Sequence, residues 1–264
     1  MTDTKNKDTI EQMFAKYNTI IGGEIMSILV AVHVNEGIVL ASDRRTTYTN
    51  TQEIDGNVVK RIGVHVTNST DKTFLCPNGA GISTCGDGDL MGKPITGYIR
   101  DMIRTEINET CDIEKIPEII INYFNALKEV PDAQFVVAGY TNSETKKEQR
   151  LYRINIITKE TETIETNGQG ATWNGETLTL TRLLADVAMK TEKNEYLDIP
   201  FENVLWEYFT LQDAVDFAEY AVETTIKTMR FKNVVETVGG EIDVLVITPD
   251  ETTWLKKIEL THDM

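Results

Sequence analysis

The run Ser27–Thr47, SILVAVHVNEGIVLASDRRTT, decides how the rest of the chain is read. Two short apolar runs rich in β-branched residues, Ser27–Val34 and Ile38–Ser42, flank Asn35-Glu36-Gly37, and this pattern predicts a β-hairpin. A three-residue loop with Gly last is an ordinary hairpin connection, because Gly accepts a positive φ. If Val34 faces Ile38, then Leu29 faces Asp43 and Ser27 faces Arg45. Asp43 becomes a diagonal neighbour of Ser27, roughly 7–8 Å away at the backbone. One hydroxyl, one carboxylate and the guanidiniums of Arg44 and Arg45 would then gather at one end of the hairpin, where an active site can be built.

Ahead of this run, residues 1–9 are polar, and Ile10, Met13, Phe14, Tyr17, Ile20 and Ile21 recur at helical spacing. That spacing predicts an amphipathic helix over Thr9–Ile20, ended by Gly22-Gly23. Three readings fit residues 1–26: a propeptide, a docking helix, or a product of start-site choice. For the third, Ile21–Met26 (IGGEIM) can be encoded by a purine-rich ribosome-binding site just before a start codon, and Ser27 would follow a trimmed Met26.

Beyond the hairpin, Thr49–Gly56 reads as a polar turn and Asn57–Val66 as a strand carrying Lys60 and Arg61. Thr67–Lys72 reads as a turn and Thr73–Cys85 as one glycine-interrupted strand. Helices are expected over Leu90–Ile107, Ile116–Lys128, Leu178–Lys190 and Leu211–Met229, each with an apolar stripe. Strands are expected at Ala133–Tyr140, Gln149–Ile157 and Thr161–Thr166, and a hairpin over Ile242–Ile247 and Thr253–Leu260. Asn167–Ala171 reads as a loop and Thr191–Asn203 as a polar insertion. The order of strands, helix pair, strands, helix pair and strands implies an α/β (α+β) fold. Two stacked, mainly antiparallel sheets would lie between helical layers, as a four-layer αββα sandwich. No composition shift divides 27–264, which reads as a single domain behind a 1–26 extension.

Composition narrows the function. The 264 residues are 41% apolar and 26% charged, ordinary for a globular chain. A net charge of −16 argues against non-specific binding to nucleic acid or to anionic membranes. Cys76, Cys85 and Cys111 form no CxxC, and an odd count fits a reducing cytoplasm better than a disulfide framework. No run approaches the length of a membrane span, and residues 1–26 lack the layout of a secretory signal. Gly86–Lys93 (GDGDLMGK) has the wrong spacing for a phosphate loop, with Pro94 where Ser or Thr belongs. There is no GxSxG, no HExxH and no His/Cys ligand cluster, so neither a metal nor a cofactor is expected. His33 and His65 fall in strands and read as core or face residues rather than bases.

Gly37–Thr47 (GIVLASDRRTT) resembles the opening of the proteasome β-subunit-like N-terminal-nucleophile hydrolases, whose members have a Gly-containing turn, an apolar strand and then Asp-x-x-x-Thr. The resemblance continues at Gly56–Ile62, Ser83–Asp89, Ala133–Tyr140, Gly168-Gln169-Gly170 and Leu211–Ile247, and covers about Ser27 to Leu260 apart from an insertion near 191–209. It implies a four-layer αββα sandwich and cleavage of peptide bonds. The α-amine of the first residue would be the base, since its reference pKa near 7.7–8.0 leaves a useful neutral fraction at pH 7. Carried onto this chain, Ser27 matches the nucleophile, Asp43 the carboxylate that holds a lysine, Lys60 or Arg61 that lysine, and Gly86 the oxyanion-hole glycine. It also implies a ring-forming homo-oligomer acting on peptide or protein substrates, with an ATPase partner for which no residue argues.

The chain departs from the family pattern at several points. Ser27 replaces Thr, Met26 stands where a self-cleaving propeptide has Gly, and Gln169 occupies a Ser position. The family's late Asp and Ser fall on Val235 or Glu236 and on Val238. The alternative these departures keep open is a non-catalytic ring or scaffold subunit.

Overall fold

The computed structural model describes residues 27–54, 57–141, 146–200 and 202–259, with side chains described outside 50–62. The helix expected over Thr9–Ile20 lies outside the described residues.

The opening hairpin pairs β1 (Ile28–Val34) with β2 (Gly37–Asp43). Its register differs by one residue from the expected one: Val34 faces Gly37, and Leu29 faces Ser42 rather than Asp43. The turn is therefore the two residues Asn35-Glu36, and Gly37 opens β2. Gly37 is needed for closeness rather than for a positive φ: a Cβ there would lie 2.7 Å from the Ile247 carbonyl oxygen and 3.1 Å from Leu211 Cδ1. A one-residue slip moves every later partner in a hairpin.

The chain continues with β3 (Thr46–Ile54), β4 (Asn57–Thr67), β5 (Thr73–Leu75), β6 (Gly81–Gly86), β7 (Asp89–Leu90) and β8 (Lys93–Pro94). Helices α1 (Ile95–Glu106) and α2 (Ile116–Asn125) follow, then β9 (Ala133–Tyr140), β10 (Gln149–Asn155), β11 (Glu160–Ile164) and β12 (Gly170–Gly175). The remainder is α3 (Leu178–Leu184), β13 (Ala188–Lys190), β14 (Tyr196–Asp198), α4 (Leu211–Arg230), β15 (Ile242–Ile247) and β16 (Thr252–Lys256).

Three sequence expectations are corrected. Of the expected turn Thr49–Gly56, residues Thr49–Ile54 are strand: β3 runs on through them, as β-branched threonines favour, and pairs with β4 as a long two-stranded ribbon, while 55–56 lie outside the described residues. Thr73–Cys85 is not one strand but the hairpin β5–β6, since Pro77-Asn78-Gly79 reverses the chain and Gly79 has φ +82°. The expected helix Leu178–Lys190 stops at Leu184, and Ala188–Lys190 pairs with Tyr196–Asp198.

Two five-stranded antiparallel sheets carry the fold. The first has the order β12-β1-β2-β15-β16 and the second β11-β10-β9-β6-β5. Three apolar clusters accompany them. Ile28, Val30 and Val32 of β1 join Val39 and Ala41 to Ala214, Ala218, Ala221 and Val222 of α4. Small residues on α4 let the helix sit close to the hairpin. Its start is fixed by a capping box, in which Asp213 N–H donates to Thr210 Oγ1 and Thr210 N–H donates to Asp213 Oδ2. On the second sheet, Ile82, Phe135, Val137 and Ile154 pack against Ile99 and Met102 of α1 and Ile120 and Phe124 of α2. The third cluster holds residues of both sheets: Leu29, Ala31, Ile38, Leu40 and Leu245 with Cys85, Val136, Ala138 and Leu151. Gly81 allows this contact, since a Cβ there would lie 2.7–2.9 Å from Leu40, Ile247 and Leu245.

His33, on β1 beside Gly170, is buried with no partner on Nδ1. Burial holds its pKa below 6.5, against the opposing hydrogen bond to the Gly168 backbone and the charge of Glu165. The unfolded chain therefore takes up a proton near pH 6.5 that the folded chain refuses. The stability present above pH 6.5 is lost as pH falls toward the depressed folded value. Urea unfolding between pH 7.5 and 5.5 is expected to show a steeper loss for the native chain than for His33→Gln.

Candidate active site

The floor of the site is built where β1 begins and β2 ends. Asp43, the last residue of β2, is fully buried and its carboxylate accepts four hydrogen bonds. Oδ1 accepts from Ile28 N–H at 3.0 Å and from Lys72 Nζ at 2.7 Å. Oδ2 accepts from Gly239 N–H at 2.9 Å and from Arg45 N–H at 3.1 Å. Four bonds fill the acceptor sites of a carboxylate, so Asp43 is locked by three backbone amides and one ammonium.

Lys72 is the cation, with its side chain 4% exposed. Burial lowers its proton affinity below the ordinary lysine value, while the charge and hydrogen bond of Asp43 oppose the change. Its neighbour Asp71 pairs with Arg44, the neighbour of Asp43, so two adjacent ion pairs of opposite order join the segments: Asp43 with Lys72, and Arg44 with Asp71 at 2.7 Å. Arg44 also holds Asp243 at 2.7 Å, and Lys257 bridges Asp71 and Asp243 at 2.7 and 2.8 Å. Arg100 adds a further contact to Asp71. Burial would raise the Asp71 pKa, but the hydrogen bond and charge of Lys257, with those of Arg44, carry it below the usual value. Lys257→Met is expected to cost about 1–3 kcal/mol, since it removes a hydrogen-bonded charge from two enclosed carboxylates. The sign of the Asp71 shift makes this difference full above about pH 4 and smaller as Asp71 protonates below it. Thermal melts at pH 7 and pH 3 check this.

Ser27 precedes β1, is 4% exposed and has φ +105°. Its carbonyl oxygen accepts from Glu176 N–H at 2.8 Å and presses on Gly175, where a Cβ would lie 2.1 Å away. Ser27, Lys72, Cys85 and Gly86 line one small cavity with Thr46, Thr70, Thr84, Gly88 and Ile95. Gly86 has φ +113°, and a Cβ on it would meet the Asp132 carbonyl oxygen at 2.2 Å. Cys85 is enclosed, and burial pushes its thiol up to about 12, so it is a wall and a poor nucleophile.

Ser27, Asp43 and Gly86 thus meet around one cation, but that cation is neither Lys60 nor Arg61. Those two lie in β4 opposite Thr51 and Asn50 of the β3–β4 ribbon, while Asp43 has no acceptor site left for them. The β3–β4 ribbon brings the chain back to Asp43 only at Lys72. From sequence Lys72 reads as part of a turn; the signal that points to it is the β-prone run Thr46–Thr51, which lengthens the excursion before the chain returns. The guanidiniums expected beside Ser27 go elsewhere, Arg44 to Asp71 and Asp243, and Arg45 to Asn68 and Glu236. Gln169 is at the far end of the hairpin, accepting from Asn35 N–H at 2.7 Å and donating to the Trp206 carbonyl. Val238 is in the apolar cluster under α4. Among the described residues no group of three or more His, Cys, Asp or Glu is placed to hold a metal ion.

The arrangement of two antiparallel sheets with helices packed against them is a proteasome-like fold, as its structural neighbours show. Solved structures of Anbu proteins share it. A Gly-1 mutant of Anbu from Hyphomicrobium sp. strain MC1 matches with a TM-score of 0.55 and 14% identity, over 90% of this chain and 88% of that one. A second Anbu structure from the same strain matches at 0.53 and 13%, over 88% of each chain. Anbu of Yersinia bercovieri, described as an ancestral beta-subunit, matches at 0.52 and 14%, over 87% of each. No family model and no curated protein matches the chain. These findings correct the resemblance drawn from the sequence: the likeness is to Anbu and not to the N-terminal-nucleophile hydrolase family, and at this identity it is one of fold, which carries no nucleophile across. Among the described residues no helix is long and apolar enough to cross a membrane.

Proposed function

We propose that this chain hydrolyses amide bonds of peptides, with Ser27 Oγ as the attacking group. The observation that supports this reading is the enclosed Lys72–Asp43 pair beside Ser27. Two charges removed from water stabilise a fold no better than apolar residues of the same size, so a buried lysine next to a hydroxyl and a glycine turn points to chemistry. In this reading residues 1–26 are removed and the free Ser27 amine takes the hydroxyl proton. Lys72 lowers the proton affinities around it, Asp43 fixes Lys72, and the Gly86 N–H faces the oxyanion. The attack forms the Oγ–carbonyl bond and breaks the C–N bond, the proton passes from the amine to the leaving nitrogen, and water then releases the acid. The three apolar clusters support a four-layer αββα arrangement as the scaffold, with 27–264 as its single domain. By fold analogy the chain works as a homo-oligomer.

A second reading, a non-catalytic ring subunit, is favoured by one observation: 26 residues precede Ser27 and end in Met26, and while attached they leave it no free amine. Intact-mass measurement of the full chain expressed from its own gene, before and after a peptide electrophile that traps N-terminal hydroxyls, separates the two. A mass starting at Ser27 and a single adduct are expected. Retention of residues 1–26 with no adduct would establish the ring subunit instead.

A further inference from the structure

We infer that the cavity beside Ser27 selects substrates whose side chain next to the scissile carbonyl is small and uncharged: glycine, alanine or serine. This deepens the hydrolase reading and rests on it. Ser27 and Gly86 line the cavity, so the acyl residue of a bound peptide enters there. Its volume is about 20 Å³, room for one water or one methyl.

The walls are fixed rather than adaptable. Thr46, Thr84 and Ile95 are 4%, 5% and 3% exposed. Thr46 closes one side, since its Cγ2 would lie 2.4 Å from a Cβ on Gly88. It is held by pairing with Thr67 in the β3–β4 ribbon. The Gly88 carbonyl accepts from Ile95 N–H at 3.1 Å, which ties Gly88, the neighbour of Thr46, to the start of α1. Thr84 N–H donates to the Lys72 carbonyl at 2.8 Å, so that wall cannot retreat without moving the lysine. Asp71 at the edge is already engaged by Arg44 and Lys257, and the size of the cavity excludes a long basic side chain. Thr46 and Thr84 are therefore the specificity-determining residues.

The test uses full-length chain expressed from its own gene and matched tripeptide aminocoumarins ending in Ala, Ser, Leu or Phe. Intact mass is read in parallel with tripeptide electrophiles of the same four sequences. Ala and Ser are expected to exceed Leu and Phe by about 100-fold or more in kcat/KM, as a pocket lacking several methylenes of room imposes. Thr84→Ala and Thr46→Ala are each expected to raise the Leu rate about tenfold and narrow that ratio. Equal turnover of Ala and Phe, a preference for Leu or Phe, or variants that leave the ratio unmoved would overturn the size rule while the hydrolase reading stands. Turnover and adduct with none of the four peptides would remove the hydrolase reading and this inference together.

Discussion

Replacing Lys72 by methionine is expected to have the largest effect on both stability and chemistry. Methionine fills similar space but leaves Asp43 as an uncompensated charge with no exposure to water. Breaking one side of a buried pair costs about 3–5 kcal/mol, a large share of the stability of one domain. Asp43 cannot escape by turning, because Ile28, Arg45 and Gly239 amides hold it from two sides. If Ser27 is the nucleophile, the same substitution removes the positive charge beside it, and the hydrolysis rate is expected to fall at least about 100- to 1000-fold. Chemical denaturation at pH 7, with peptide turnover measured well below the melting temperature, separates the two losses. Lys60→Met and Arg61→Met are the contrast, and each is expected to leave the Asp43 pair intact. A Lys60→Met variant as inactive as Lys72→Met would return the catalytic role to β4.

Gly86→Ala is the second large effect. A β-carbon there would sit 2.2 Å from the Asp132 carbonyl oxygen and 2.9 Å from Ala133 Cα, on a backbone with φ +113°. Neither contact is with the end of a flexible side chain, so the β6–β9 pairing at Gly86 and Ala133 has to open. Strain of this kind costs about 1–3 kcal/mol for the dihedral alone, and the clash adds to it. The turn that lines the Ser27 cavity would move with it. Unfolding by denaturant is expected to report a loss of about 3 kcal/mol or more, and peptide turnover is expected to vanish even in the folded fraction. Gly97→Ala is the matched control, because nothing lies within 4 Å of a Cβ at that position. It is expected to gain slightly, as alanine favours an exposed helix over glycine.

Much of the architecture was legible because it depends on local pattern. The run Ile28–Val34 is apolar enough to be buried on both faces, with Ile28, Val30 and Val32 in the cluster under α4 and Leu29 and Ala31 in the cluster between the sheets, and the stripe Ala214–Met229 gives α4 one buried face by spacing alone. Thr210 and Asp213 announce the start of α4 by residue type. The β3 strand escaped notice because its threonines alternate with polar residues and give no apolar period, although their branched side chains suit a strand. The strand β12, which pairs with β1 from Ile28 to His33, begins in a segment that reads as a loop, since Gly168-Gln169-Gly170 masks its start.

The sequence by itself determined that a short strand would carry Ser27 toward a hairpin, that Asp43 would end that hairpin, and that three sets of strands would alternate with two helix pairs. These are consequences of spacing, which acts between near neighbours. Only the tertiary structure decided the register and the cation. The register follows from the Ile247 carbonyl, which arrives from β15 and tolerates no side chain at Gly37. The cation follows from the β3–β4 ribbon, which returns the chain to the end of β2 at Asp71-Lys72 and sets that pair against Asp43-Arg44 in reversed charge order. Ion pairs between distant segments depend on where the chain comes back, and no periodicity in the sequence measures that.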